Sequence, residues 1–80
     1  MKYQLELQRR PERDPKIETS DFEVADDDAA RKMANNIIYC ARLIQEIGLS
    51  KPTARPVRLI VIHDNGVHEP LPYVYEQPKN

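Results

Sequence analysis

The feature that most constrains the fold is a turn signal in the last third of the chain, where residues 64–66 have the sequence Asp-Asn-Gly. Residues 57–63 before it and 67–75 after it are rich in β-branched and aromatic side chains. Asn-Gly between two such runs indicates a β-hairpin, because both residues tolerate the positive φ of a tight turn. Pro70 and Pro72 remove backbone donors on one side of the returning strand, which suits the edge of a sheet. We therefore predict a hairpin whose second strand is an edge strand.

Alternating polar and apolar residues predict two further strands in the first third of the chain. Tyr3, Leu5 and Leu7 alternate with polar side chains, which gives a strand with one buried face and one solvated face. Residues 17–25 resume strand character, with Ile17 out of phase, which indicates a bulge or a late strand start. The charged, proline-containing residues 9–16 between the two strands are typical of a loop. The first two strands are therefore expected to pair.

A helix is predicted over Asp27–Ile47, because apolar residues recur there at helical spacing. The residues expected on its buried face are Ala30, Met33, Ala34, Ile37, Cys40, Ala41, Ile44 and Ile47. Asp26 or Asp27 can cap the first free N–H groups of this helix. Gly48 can supply the left-handed residue that ends it, with Leu49 folding back in a Schellman motif.

The order of these elements predicts an α+β domain with two layers, ββαββ, in which one helix packs on one face of an antiparallel four-stranded sheet. Eighty residues suffice for a single domain, and the net charge of −1 removes any global electrostatic argument for nucleic-acid or membrane binding. Residues 1–7 lack the apolar core of a signal peptide, and no segment is as apolar as a membrane span, so we expect a cytoplasmic protein. The single cysteine, Cys40, is expected to be a small buried hydrophobe in a reducing compartment.

Residues that could carry chemistry are few. His63 and His68 flank the predicted turn and would share one face of the hairpin if Asn65-Gly66 alone formed the loop. A three-residue loop would instead place His63 opposite Val67 and His68 on the other face, and we favour it because it collects the apolar hairpin residues on one face. Neither register supplies a full set of zinc ligands. We expect no metal, no cofactor and no enzymatic activity, since no nucleophile-base pair or glycine-rich phosphate loop is evident.

Five acidic residues lie close together where the second strand meets the helix: Asp21, Glu23, Asp26, Asp27 and Asp28. We name these residues the acidic edge. Helix capping accounts for one or two of the carboxylates, and the others form either a solvated edge or a surface that recognises a basic partner. We predict that the acidic edge binds a protein partner, with a solubilising role as the alternative.

A second contact surface is predicted from apolar residues outside the expected core. Tyr39 and Leu43 lie nearly opposite the apolar helix face, and Ile60 and Ile62 make the third strand apolar on both faces. Since one helix covers only one face of a sheet, these residues are predicted to form a dimer seam or a second partner contact. Isolated exposed apolar side chains are the alternative.

The loop at residues 9–16 contains four basic residues, diluted by Glu12 and Asp14. Weak RNA binding by this loop is a third hypothesis. A solvated loop is the simpler interpretation, because the strands lack the interleaved aromatic residues on which bases stack.

Residues 3–7, residues 21–30 and the hairpin together define a pattern of element size and order. This pattern resembles small phage and mobile-element proteins built as strand-strand-helix-strand-strand, several of which are anti-CRISPR inhibitors. The resemblance implies a non-enzymatic inhibitor that binds a CRISPR effector complex, often by placing carboxylates where DNA phosphates would lie. The acidic edge is then the expected contact surface. A small self-associating structural domain is the alternative function.

Overall fold

The computed structural model describes residues 1–48 and 51–77. Within these residues the elements are β1 (Lys2–Gln8), β2 (Glu18–Glu23), α1 (Asp27–Ile47), β3 (Arg55–Ile62) and β4 (His68–Leu71). The strands form one antiparallel sheet in the order β2-β1-β3-β4, with α1 packed on one face. The predicted ββαββ fold is confirmed, and β4 is an edge strand, as its prolines indicated.

The core lies between α1 and the two central strands, β1 and β3. Tyr3, Leu5 and Leu7 of β1 are buried, which confirms the predicted alternation. Leu59 and Val61 of β3 lie beside them in the register of the sheet. The side chains that α1 contributes to this cluster are Ala30, Ala34 and Ile38. The alanines allow the helix to lie close to the sheet, and burying each larger apolar side chain stabilises the fold by about 1.5–3 kcal/mol.

The buried face of α1 differs from the predicted one. Ile38, which was not among the predicted residues, is buried together with Ala30, Ala34 and Ala41. The predicted core residues that are exposed instead are Met33, Cys40, Ile44 and Ile47. The expectation that Cys40 is buried is therefore wrong. The physical reason is that the apolar residues of α1 extend around more of the helix than the sheet can cover, and periodicity does not show which part faces the sheet.

The carboxyl-terminal end of α1 is held by a side chain rather than by a left-handed glycine. Gly48 has a φ of −85°, so the predicted left-handed conformation is wrong. The Gln45 Oε1 atom instead accepts hydrogen bonds from the backbone N–H groups of Thr53 and Ala54, both at 2.9 Å. These bonds hold the returning chain against the helix end. The predicted fold-back at Leu49 lies outside the described residues.

The β3–β4 hairpin has the three-residue turn that the sequence favoured. The His63 N–H group donates to the Val67 carbonyl at 2.9 Å, and the Gly66 N–H group donates to the His63 carbonyl at 2.8 Å. Gly66 adopts a φ of 85°, the left-handed conformation that glycine tolerates best. His68 lies opposite Ile62, on the face of the sheet away from His63.

The strand boundaries differ from the predicted ones by a few residues. Ile17, the first residue of the second predicted strand, lies outside β2 and is 49% exposed. A register shift between β1 and β3 leaves Val57 exposed as well. β4 ends at Leu71 rather than at residue 75, because the chain from Pro72 onward packs against α1.

Residues 72–77 pack along one flank of α1. The Tyr73 hydroxyl donates a hydrogen bond to Asn35 Oδ1 at 2.6 Å. The Arg42 guanidinium lies 5.6 Å from the centre of the Tyr75 ring, within the range of a cation–π interaction. Both tyrosine side chains pack against the core cluster. This flank of the helix is therefore covered by the chain itself.

Candidate protein-binding surfaces

The outer part of the acidic edge lies on the sheet face away from α1. Asp21 lies opposite Gln4 of β1 and accepts a hydrogen bond from its Nε2 atom at 2.9 Å. Glu23 lies opposite Lys2 and is exposed. Because Tyr3 between these β1 residues points into the core, Asp21 and Glu23 project from the opposite face.

The inner part of the acidic edge lies at the amino-terminal end of α1. Asp26 Oδ1 accepts a hydrogen bond from the Ala29 N–H group at 2.8 Å, which confirms Asp26 as the helix cap. Asp28 forms an ion pair with Arg31 at 3.1 Å, and its side chain is 87% exposed. An exposed pair of this kind contributes little to stability. The Asp28 carboxylate is therefore accessible to a partner, whereas Asp26 is already engaged.

Tyr3 connects the acidic edge to the core. Its ring is buried and stacks on Phe22 with 5.8 Å between the ring centres. Its hydroxyl donates to Asp27 Oδ1 at 2.8 Å. Burial, and then the hydrogen bond to this carboxylate, raise the pKa of Tyr3 to about 12. Sequence reasoning missed this pair; the available signal was a tyrosine at a buried strand position, whose hydroxyl requires a partner.

A stripe of apolar side chains on α1 is exposed, and we name it the open helix face. Its members are Met33, Ile37, Cys40, Leu43, Ile44 and Ile47. Ile44 and Ile47 are the most exposed of these, at 66% and 83% of their surface, whereas Ile37 is partly buried. At about 100° per residue, all six share one side of the helix. Their spacing is visible in the sequence, but most of them were assigned to the core.

The second predicted contact surface is divided by the fold. Leu43 belongs to the open helix face, whereas Tyr39 is partly buried. Ile60 lies in the central strand β3 between neighbours on β1 and β4, and is 3% exposed. Ile62 is partly buried on the same outer face. The outer sheet face therefore offers a partner less apolar surface than the sequence suggested, and it lies on the opposite side of the sheet from Leu43.

A cleft of about 490 Å³ lies where the loop at residues 9–16 meets the carboxyl-terminal end of α1. Its lining includes the cationic side chains of Arg10, Arg13 and Lys51 and the carboxylate of Glu12. Ile44 of the open helix face also lines it, so the cleft and the open helix face adjoin. The basic residues are thus placed at the end of the helix opposite to its acidic end.

The basic loop is fixed in place by polar contacts. The Arg9 carbonyl accepts hydrogen bonds from Gln45 Nε2 at 2.8 Å and from Thr53 Oγ1 at 2.6 Å. The Arg9 side chain pairs with Glu18 at 2.5 Å. Of the four basic side chains of the loop at residues 9–16, that of Arg9 is therefore engaged within the chain. RNA binding by this loop stays a prediction.

The histidines are separated by the sheet. His63 Nε2 lies 2.8 Å from Glu69 Oε2, and His68 lies on the other face. Among residues 1–48 and 51–77, no group of three or more His, Cys, Asp or Glu side chains is arranged to hold a metal ion.

No protein-family model matches this chain, and no curated protein and no solved structure matches it either. In the part of the chain that the structure describes, no helix combines the length and the apolar character needed to cross a membrane.

Proposed function

We propose that this chain is a small, non-enzymatic protein-binding domain whose binding surface is the open helix face. The observation that carries the proposal is the exposure of Ile44 and Ile47, at 66% and 83%, on the same side of α1 as Met33 and Leu43. Transfer of each such side chain from water into an interface is favourable by about 1.5–3 kcal/mol. A contiguous apolar stripe with a polar rim is typical of a protein-interaction surface.

The charged residues at the two ends of the open helix face support a protein partner. Asp26 and Asp28 lie at the amino-terminal end, and Arg10, Arg13 and Lys51 lie around the cleft at the other end. Protein interfaces combine an apolar centre with a charged rim that sets orientation. A partner with an apolar strip and opposite charges at its ends would match this arrangement.

Affinity capture with a tagged protein tests this proposal. Ile44→Lys places a charge within the stripe. Val74→Lys is the matched control, because Val74 is 81% exposed and lies in the segment after β4. We expect the tagged wild type and Val74→Lys to capture the same partner protein, which can be an untagged copy of this chain. We expect Ile44→Lys to lose this partner. Circular dichroism checks that all three are folded. Equal capture by Ile44→Lys would contradict the proposal.

Inhibition of a nucleic-acid-binding complex through the acidic edge is the second candidate function. The exposed carboxylates of Glu23 and Asp28, with Asp21 on the outer sheet face, support it. Such carboxylates attract the basic groove of a protein that binds nucleic acid. A CRISPR effector complex is the partner that the resemblance to anti-CRISPR inhibitors suggests.

The test of this candidate uses the carboxylates that are free of structural roles. Asp21, Glu23 and Asp28 are changed together to lysine, whereas Asp26 and Asp27 are left intact because they hold the helix cap and Tyr3. We expect wild type to reduce DNA binding by a purified effector complex and the triple variant to lose this effect. If wild type leaves DNA binding unchanged, the candidate is rejected for that complex.

A further inference from the structure

We propose that the open helix face binds a second copy of this chain, so that two α1 helices pack antiparallel around a two-fold axis at Cys40. This inference rests on the proposed function of the open helix face and identifies its partner. The spacing of the stripe, the charges at its ends and the covered flanks of α1 each support it.

The spacing of the stripe matches a helix-pair seam. Five of its six residues recur at positions 33, 37, 40, 44 and 47, in alternating steps of four and three, and Leu43 lies at the side of this seam. This average of 3.5 residues keeps a seam facing a partner helix. In an antiparallel pair centred on Cys40, Met33 faces the partner's Ile47, and Ile37 faces the partner's Ile44. Because both copies use the same patch, association closes as a dimer and does not propagate.

The charges at the two ends of the open helix face favour the antiparallel orientation. Asp26 and Asp28 lie at one end. The cleft at the other end is lined by Arg10, Arg13 and Lys51 and by one carboxylate, that of Glu12, so its lining is positively charged on balance. An antiparallel pair brings the acidic end of each copy towards the basic cleft of the other, at both ends of the seam. A parallel pair would bring like charges together. The helix dipoles favour the antiparallel orientation as well.

Two other sides of α1 are covered within the described chain. The sheet packs against Ala30, Ala34 and Ile38, and Tyr73 and Tyr75 cover the neighbouring flank. Lys32, Asn36 and Glu46 of α1 are exposed as well, but they are polar. The open helix face is therefore the apolar side of α1 on which a second helix can pack without displacing any part of the described chain.

Analytical ultracentrifugation tests the association directly. We expect wild type and Val74→Lys to sediment as dimers at high concentration, and Ile44→Lys to have a dimer Kd raised by at least about tenfold. Ile44 is 66% exposed, so its replacement leaves the core intact, and circular dichroism verifies this. A wild-type protein that remains monomeric over the whole concentration range would overturn the proposal.

Cross-linking tests the orientation. The chain contains a single cysteine, so mild oxidation with copper-phenanthroline should link the wild type through Cys40 as a dimer. In a Cys40→Ser background, Met33→Cys and Ile47→Cys proteins should link to one another when mixed, and not to themselves. The reason is that the two Met33 positions of an antiparallel pair lie about 21 Å apart along the axis, at 1.5 Å per residue. Self-linking of each single variant would overturn the antiparallel arrangement.

The two kinds of assay distinguish this inference from the proposed function. Suppose that the wild type is monomeric and captures a protein other than itself, and that Ile44→Lys does not capture that protein. The open helix face then binds a foreign partner, so the second-copy inference fails and the proposed function stands. If wild type is monomeric and Ile44→Lys captures the same proteins as wild type, both fail.

Discussion

At the scale of single residues, Tyr3 and Asp27 connect the central strand β1 to the first turn of α1 through one hydrogen bond of 2.8 Å. We expect Tyr3→Phe to lower the free energy of unfolding by about 1–2 kcal/mol, because the carboxylate loses its donor next to a buried ring. Urea denaturation measures this change. Tyr39→Phe is the control, since Tyr39 is only partly buried, and it should change stability by less than about 0.5 kcal/mol. Equal effects would contradict the role of the bond.

The same tyrosine predicts a loss of stability at alkaline pH. Its pKa is about 12 in the folded chain, against an ordinary value of 10.0. Because this pKa is raised on folding, the contribution of Tyr3 to the free energy of unfolding is fully present below pH 10 and is lost as the pH rises through about 12. Burial also raises the pKa of Tyr73 and Tyr75, so they act in the same direction.

The alkaline loss should be smaller in Tyr3→Phe than in wild type. Urea midpoints measured across this pH range give, for each protein, the slope of stability against pH. Absorbance at 295 nm follows tyrosinate formation without interference, because the chain has no tryptophan. Identical slopes in the two proteins would assign the alkaline loss to other groups.

Two neighbouring carboxylates of the acidic edge should differ sharply in their effect on stability. Asp26→Ala removes the helix cap and should lower the free energy of unfolding by about 1 kcal/mol. Asp28→Ala removes only an exposed ion pair and should cost less than about 0.5 kcal/mol. Urea denaturation of both variants checks this difference. Equal losses would mean that net charge, and not the cap, sets the stability of this helix end.

At the scale of elements, the glycines at the hairpin turn and at the helix end should respond to alanine with different signs. Gly66 has a φ of 85°, so Gly66→Ala should destabilise by about 1 kcal/mol although its Cβ would meet nothing within 4 Å. Gly48 has a φ of −85°, which alanine adopts freely. Gly48→Ala should therefore be neutral or stabilise by up to about 1 kcal/mol. Thermal denaturation of both variants measures the signs, and a destabilised Gly48→Ala would contradict the observed helix end.

The helix shows which properties of an element can be predicted from its sequence. The bounds Asp27–Ile47 were predicted correctly, because the apolar period and the aspartate cap act within a few turns of chain. Its buried face was predicted only in part. Ala30, Ala34 and Ala41 are buried as expected, but Ile38 also faces the sheet, while Ile44 and Ile47 face solvent. Which side of α1 is buried depends on where the sheet and residues 72–77 pack against the helix. These are tertiary contacts, which local sequence spacing does not determine.

At the scale of the whole molecule, the candidate surfaces were only partly predictable. The acidic edge is a local cluster in the sequence, and the structure divides it between the outer sheet face, with Asp21 and Glu23, and the amino-terminal end of α1, with residues 26–28. The open helix face was not foreseen, because the same apolar spacing describes a buried face and an exposed one. Conversely, Ile60 was predicted to need a partner, but its position in central β3 leaves it 3% exposed within one chain. Burial is decided by neighbours that are distant in sequence.

If two copies pair through the open helix face, folding and association are coupled in the whole molecule. A domain of 80 residues has a small core, so the buried seam adds a substantial part of its stability. The Tm of wild type should then rise by roughly 3–5 °C for each tenfold increase in protein concentration. Ile44→Lys should have a lower Tm that does not depend on concentration, and Val74→Lys should follow wild type. Scanning calorimetry over a concentration series checks this. A constant Tm in a wild type that sediments as a dimer would mean that the dimer dissociates below the Tm and that the monomer, stable alone, is the species that unfolds.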